Sequence, residues 1–193
     1  QYLIMALLIT MVGCMLLGMA LPTTAAYLIA VVLFVPVMLK LQISPVVAHM
    51  FCFYFGVMAQ ITPPVCLASF TAAGIAGADS WKTGWTGFTY ALVAFLVPFA
   101  FAYQPALLMQ GNLLDVIQPA ITLFAGVFGL SVTVSGFLFR PMPAWLRTVT
   151  FVLAMLMIVP ETITDFIGVG GLILIVVLEK MAAKKTTAAS AAE

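Results

Sequence analysis

The chain has 193 residues, 65% of them hydrophobic and 7% charged, and carries a formal net charge of +1. Soluble domains run at roughly 45–50% apolar and 25% charged, so this composition excludes a water-soluble globular domain. The near-zero net charge leaves no basic face for nucleic acid, and Cys14, Cys52 and Cys66, all in apolar context, make no disulfide framework.

Apolar runs recur at about the 20-residue length that crosses a bilayer, so the expected class is an all-α polytopic membrane protein. The chain opens at Gln1 and turns apolar within two residues, without an initiating Met or a basic signal-peptide region. We therefore expect the C-terminal piece of a longer polypeptide.

Residues 2–17 (YLIMALLITMVGCMLL) read as a helix of about 24 Å, short of the roughly 30 Å hydrocarbon core. GMALPTT at 18–24 interrupts the run, and AAYLIAVVLFVPVML follows as a second short arm ending near Lys40, with Pro36 a potential kink. Two short arms around a Gly/Pro/Thr tip predict a re-entrant hairpin over 2–39. In the connector LQISPVV at 41–47, Ser44 is placed to cap a helix and Pro45 suits its first turn. The helix predicted from 46 carries His49, Cys52, Gly56 and Gln60 at steps of three, four and four, which puts them on one inward face. ITPP at 61–64 then breaks that helix, and a second half completes it, giving a broken helix over 46–77. Backbone polar groups freed at bilayer depth cost several kcal/mol unless protein or a water-filled cavity satisfies them. Two neighbouring breaks therefore point to a built cavity, the device by which secondary transporters hold substrate and ion.

Beyond Trp81 the texture changes to ordinary apolar spans, at 85–108, 114–138, 143–160 and 163–179. Gly84/Gly87, Gly126/Gly129 and Gly168/Gly171 would let these helices approach closely. The polar stretch that follows predicts a disordered tail. The expected division is thus a transport half over 1–80, C-terminal transmembrane helices over 81–179, and a tail over 180–193. With the tail cytoplasmic and four spans before it, Lys82, Arg140, Arg147 and the three tail lysines fall inside and only Lys40 outside, as the positive-inside rule requires. Asp115 and the acidic ETITD segment at 161–165 then fall outside, and the hairpin dips in from the outer face.

The breaks carry the chemistry. At the tip, Gly18 is expected to permit a non-helical turn, Pro22 to end one arm's hydrogen bonding, and Thr23 and Thr24 to add hydroxyls. The half-helix ending near Thr62 is expected to leave the carbonyls of Ala59, Gln60 and Ile61 without partners, which suits Na⁺. The half-helix beginning after Pro64 points N–H groups into the same space, which suits a carboxylate. Pro22, Thr23, Thr24, His49, Gln60, Pro63 and Pro64 are the candidate lining of a substrate cavity. His49 is an ionisable group at membrane depth, read either as functional or, more economically, as a packing histidine bonded to a neighbouring helix. A metal site from His49, Cys52 and Cys66 lacks a fourth ligand. An intramembrane hydrolase using Ser69 or Cys66 with His49 as base is a competing reading, but the chain has no GxSxG or HExxH motif. A non-transporting structural subunit is another, and it leaves the two costly breaks without a purpose. No GxxxxGK[ST] loop is present, so energy is expected from an ion gradient rather than ATP.

The ordered set GMALPTTAAYLIAVVLFVPVML, ISPVVAHMFCFYFGVMAQITPPVCLASFTAAGIAG and TGWTGFTYALVAFLVPFAFAY resembles the large membrane subunit of tripartite ATP-independent periplasmic (TRAP) transporters. AHMFCFYFG is closest to the branch in which the small and large membrane subunits are fused. The similarity covers about residues 2–110. It implies an elevator-type secondary carrier in a bacterial cytoplasmic membrane, built from inverted repeats, of which this chain supplies the second. It also implies an upstream first repeat, a small membrane subunit or fused domain, and a periplasmic substrate-binding protein that sets selectivity. By resemblance, the family's second ion site maps onto Gly18, Ala59, Thr62 and Val65, mostly through main-chain oxygens; many relatives carry Gly where this chain has Ala59. Sodium is the coupling ion the resemblance implies, while His49 on an inward face leaves protons open.

Overall fold

A computed structural model describes residues 2–157 and 162–190. Among them all helices and turns build an all-α membrane protein, and four segments are long and apolar enough to cross a bilayer: Leu3–Ala20, Thr23–Lys40, Ser80–Tyr103 and Asp115–Ser135. The chain divides into two compact units, Gln1–Gln110 and Gly111–Glu193. The compact units part at 110/111, because the segments after Trp81 pack on the broken helix and so lie with it in the first unit.

In the first unit, α1 (Tyr2–Ala20) and α2 (Thr23–Lys40) form the hairpin. The interruption is narrower than the sequence suggests. The α1 helix runs on through Gly18, so that only Leu21 and Pro22 separate the arms, and Gly18 does not occupy a non-helical turn. Leu21 N–H still reaches Leu17 O at 3.1 Å and Ala26 N–H reaches Pro22 O at 3.0 Å, so the tip frees few backbone groups. The 19 residues of α1 reach about 28 Å at 1.5 Å per residue, closer to bilayer thickness than expected.

The next helix, α3 (Pro45–Met58), starts where its local chemistry dictates: Ser44 Oγ accepts from Val47 N–H at 3.4 Å, with Pro45 in the first turn. It tightens into a 3-10 turn at Ala59–Ile61, and Thr62 is extended (φ −102°, ψ 125°), the conformation that a following proline enforces. The Pro63–Pro64 peptide is cis. The second half, α4 (Leu67–Ala76), ends at Gly77, whose φ of 64° is the left-handed geometry of a helix C-cap. Asp79 then caps α5 (Ser80–Ala91) by accepting from Lys82 N–H at 2.7 Å. A 3-10 stretch at Leu92–Leu96 joins α5 to α6 (Val97–Tyr103), and Tyr54 Oη donates to the Ala94 carbonyl at 3.1 Å where the winding changes. Phe51 and Phe55 are fully buried, and Phe51 makes edge contacts with Phe55, Phe99 and Phe101 at ring separations of 4.9, 5.5 and 6.4 Å. These edge-to-face pairs lock α3 to α6.

The second unit is α7 (Leu113–Ser135), α8 (Ala144–Leu156) and α9 (Thr162–Ser190). The three meet at Gly129, where an added methyl would lie 3.0 Å from both Ala154 Cβ and Leu172 Cδ2, and at Gly171, which faces Leu153. At one end of this unit Arg140 grips Glu179 with two bonds of 2.8 and 2.9 Å, and Arg147 donates twice to the Thr133 carbonyl near the end of α7. The α9 helix continues to Ser190, into the stretch from residue 180 that the sequence reads as a tail. Its EKMAAKK stretch consists of strong helix formers and extends a helix already nucleated by packing. The end of the predicted span 143–160, Glu161 of the acidic segment and residues 191–193 of the predicted tail lie outside the described residues.

Candidate ion and substrate site

The site is built where the last turn of α1 lies on the end of α3. A methyl on Gly18 would sit 2.6 Å from the Gly56 carbonyl oxygen and 2.7 Å from Ala59 Cβ, so only glycine admits this approach. Gln60, beyond the end of α3, donates its Nε2 to the Gly18 carbonyl at 2.9 Å. Hairpin and broken helix are thus joined by one side-chain bond beside their two interruptions. Of the residues carried over by resemblance, Gly18, Ala59 and Thr62 are buried and Val65 is half-buried.

One sequence expectation changes here. The Ala59 carbonyl is not unpartnered: it accepts from Thr62 N–H at 3.2 Å, and the Thr62 carbonyl accepts from Cys66 N–H at 3.1 Å. The Thr62 hydroxyl donates to the Met58 carbonyl at 2.8 Å, which satisfies the last turn of α3 locally. A helix end at membrane depth recruits whatever donors lie nearest, and the tight 3-10 geometry brings them within reach. Each carbonyl keeps a second lone pair, so the oxygens remain competent ligands for a hard cation.

Of the candidate cavity residues, Thr23 and Pro63 are half-buried while Pro22, Thr24 and Pro64 are exposed in the isolated chain. His49 is half-buried and pairs through Nδ1 with Tyr27 Oη at 2.9 Å, while the Tyr27 ring packs edge-on against Phe53 at 5.8 Å. The polar stripe of α3 and its 3-10 extension therefore serves both arms: His49 bonds α2 through Tyr27, Gln60 bonds α1 through Gly18, and between them Cys52 lies against Cys14 of α1, both thiols free. Sequence reasoning missed Tyr27 and gave Gly56 no site role. A lone phenol in an aliphatic arm was the available signal for the first; the second depends on a contact between distant segments.

The hydrolase geometry is not assembled. Cys66 Sγ faces Gly84 and Ser69 Oγ faces Gly87, whereas the hydrogen bond of His49 goes to Tyr27. Among the described residues no group of three or more His, Cys, Asp or Glu side chains is clustered for a metal ion.

A family model described as tripartite ATP-independent periplasmic transporter, DctM component, matches residues 1–116. No curated protein and no solved structure matches the chain. The matched stretch takes in the hairpin, the broken helix and the Gly18–Gln60 contact that joins them, and it covers more than half of the 193 residues. The chain belongs to the DctM family, the large membrane component of TRAP transporters.

Proposed function

We propose that this chain forms part of the translocation pathway of an ion-gradient-driven carrier that takes up a small organic carboxylate delivered by a periplasmic binding protein. In this reading the α1–α2 hairpin is re-entrant, the coupling ion is Na⁺, and Gly18, Ala59, Thr62 and Val65 supply main-chain oxygens to it. The carboxylate lies beside Thr23, Thr24 and the break at Pro63–Pro64. An upstream inverted copy of the hairpin and broken helix, with a small membrane subunit, completes the elevator in a bacterial cytoplasmic membrane.

The observation that carries the reading is the bond from Gln60 to the Gly18 carbonyl, which puts the ends of two interrupted helices side by side. Half-helix ends are where broken-helix carriers hold ions and anionic substrates. Uptake by the full transporter in proteoliposomes, with Na⁺ and proton gradients imposed separately, tests the proposal. A Na⁺ gradient alone is expected to drive accumulation. Uptake that follows the proton gradient and ignores Na⁺ would overturn the assignment of the ion site.

A further inference from the structure

Asp165 of the second unit is 7% exposed, and among the described residues it makes no hydrogen bond or ion pair. It lines a cavity of about 460 Å³ between α7 and α9, with Gln118 as the other long polar side chain and Phe166 and Val169 among the apolar walls. Val169 also lines a second, almost wholly apolar cavity of about 220 Å³ that continues between the same two helices from Ala125 to Val177. From Asp165 to Val177 the groove follows about 18 Å of α9 at 1.5 Å per residue. Glu179, held by Arg140, lies 14 positions further along α9, so the carboxylate and the ion pair flank the apolar groove from opposite ends.

These features set requirements on an occupant. A buried carboxylate calls for a cation, and among the described residues neither cavity wall contains Lys or Arg to supply it. The apolar continuation calls for a hydrocarbon chain. A covering protein helix would meet the same requirement only by bringing a Lys or Arg of its own to Asp165, and the test below separates that case. A hydrogen-bonding ammonium satisfies Asp165 and the Gln118 amide oxygen better than a quaternary one, which has no proton to donate.

We propose that the second unit binds one membrane lipid with a primary-ammonium headgroup, its ammonium on Asp165 and Gln118 and one acyl chain in the α7–α9 groove. The site lies outside residues 1–116 and does not depend on the proposed transport chemistry.

The test uses the full transporter, reconstituted in vesicles of equal parts phosphatidylethanolamine and phosphatidylglycerol, re-extracted in mild detergent and weighed with its retained lipids by native mass spectrometry. Retention of one phosphatidylethanolamine per chain in preference to phosphatidylglycerol is expected. Asp165→Asn should lower that preference at least about tenfold, the size of a lost charge-assisted hydrogen bond, and Asp165→Glu should keep it. Val169→Trp, which fills the segment shared by both cavities, should abolish retention of either lipid. Circular dichroism and gel filtration of each variant separate loss of the lipid from loss of the fold, and Asp165→Glu reads out headgroup choice even where the Asn variant is unstable. Equal retention of the two lipids by the unaltered protein overturns the proposal. So does a photoactivatable phosphatidylethanolamine that labels segments other than 125–128 and 169–177, as would occur if another protein helix covers the groove.

Discussion

A methyl group on Gly18 has nowhere to go, because the atoms it meets include the Gly56 main-chain oxygen, which no rotamer change can move. Gly18→Ala should therefore push α1 off α3 at a cost of about 1–3 kcal/mol, typical of overpacking. Since the hairpin's apolar length is unchanged, the variant is expected in the membrane at normal levels with its half-saturating Na⁺ concentration raised several-fold. Gln60→Leu tests the same junction without steric strain. It removes the donor to the Gly18 carbonyl, worth about 1 kcal/mol or roughly fivefold in apparent ion affinity. An unchanged ion dependence of uptake in Gln60→Leu would detach the hairpin tip from ion binding. Thr62→Val should mainly free the Met58 carbonyl, because that is where the hydroxyl is spent. At this scale the sequence was half legible. The residue types at the breaks announced their importance, but Gly18 read as a turn former although its role is to permit a close approach. Backbone freedom is a local property, whereas the partner atoms of Gly56 and Ala59 come from a segment some forty positions away.

The elements with local causes were the ones the sequence specified best. Ser44 and Pro45 start α3, and Pro63 and Pro64 end its 3-10 extension, as their chemistry demands. The length of α1, the allegiance of α5 and α6 and the continuation of α9 to Ser190 were not readable. Each depends on what the segment packs against or grows from. For the broken helix, replacing Pro63 and Pro64 together with Ala restores two N–H donors and removes the restriction on Thr62, so the chain can close toward a continuous helix. The expected result is normal insertion and no uptake. Normal uptake with unchanged ion dependence would reduce the break to a structural kink. In the second unit the Arg140–Glu179 pair predicts an asymmetry. Glu179 is 4% exposed and Arg140 is 42% exposed, so Arg140→Gln strands a buried carboxylate while Glu179→Gln releases an arginine that water can solvate. Thermal unfolding in detergent should show the larger loss for Arg140→Gln. Equal losses would mean that the pair contributes through packing alone.

For the whole chain, orientation rests on where the basic residues lie. Six of the seven fall on one side, with Lys40 on the other, if α3 with α4 crosses once and each later span crosses in turn. Neither α3 with its 3-10 turn nor α4 is long enough to be a candidate span, so in this reading the two halves share one crossing and Lys82 is expected on the face opposite Lys40. Within the second unit, Arg140 and Arg147 lie near one end together with Glu179, while Asp165 lies some 14 positions back along α9, about 21 Å at 1.5 Å per residue. That separation is most of a bilayer's hydrocarbon thickness, and the positive-inside rule assigns the basic end to the cytoplasm in this reading. Single cysteines at Lys40, Lys82 and the exposed Phe139 report the arrangement directly, because Cys14, Cys52 and Cys66 are all buried and give little background to a membrane-impermeant maleimide. In sealed cells, Lys40→Cys should label from the periplasm, while Lys82→Cys and Phe139→Cys should label only after permeabilisation. Labelling of Lys82→Cys from the periplasm would mean that the broken helix does not cross, and the orientation drawn from the basic residues would fall.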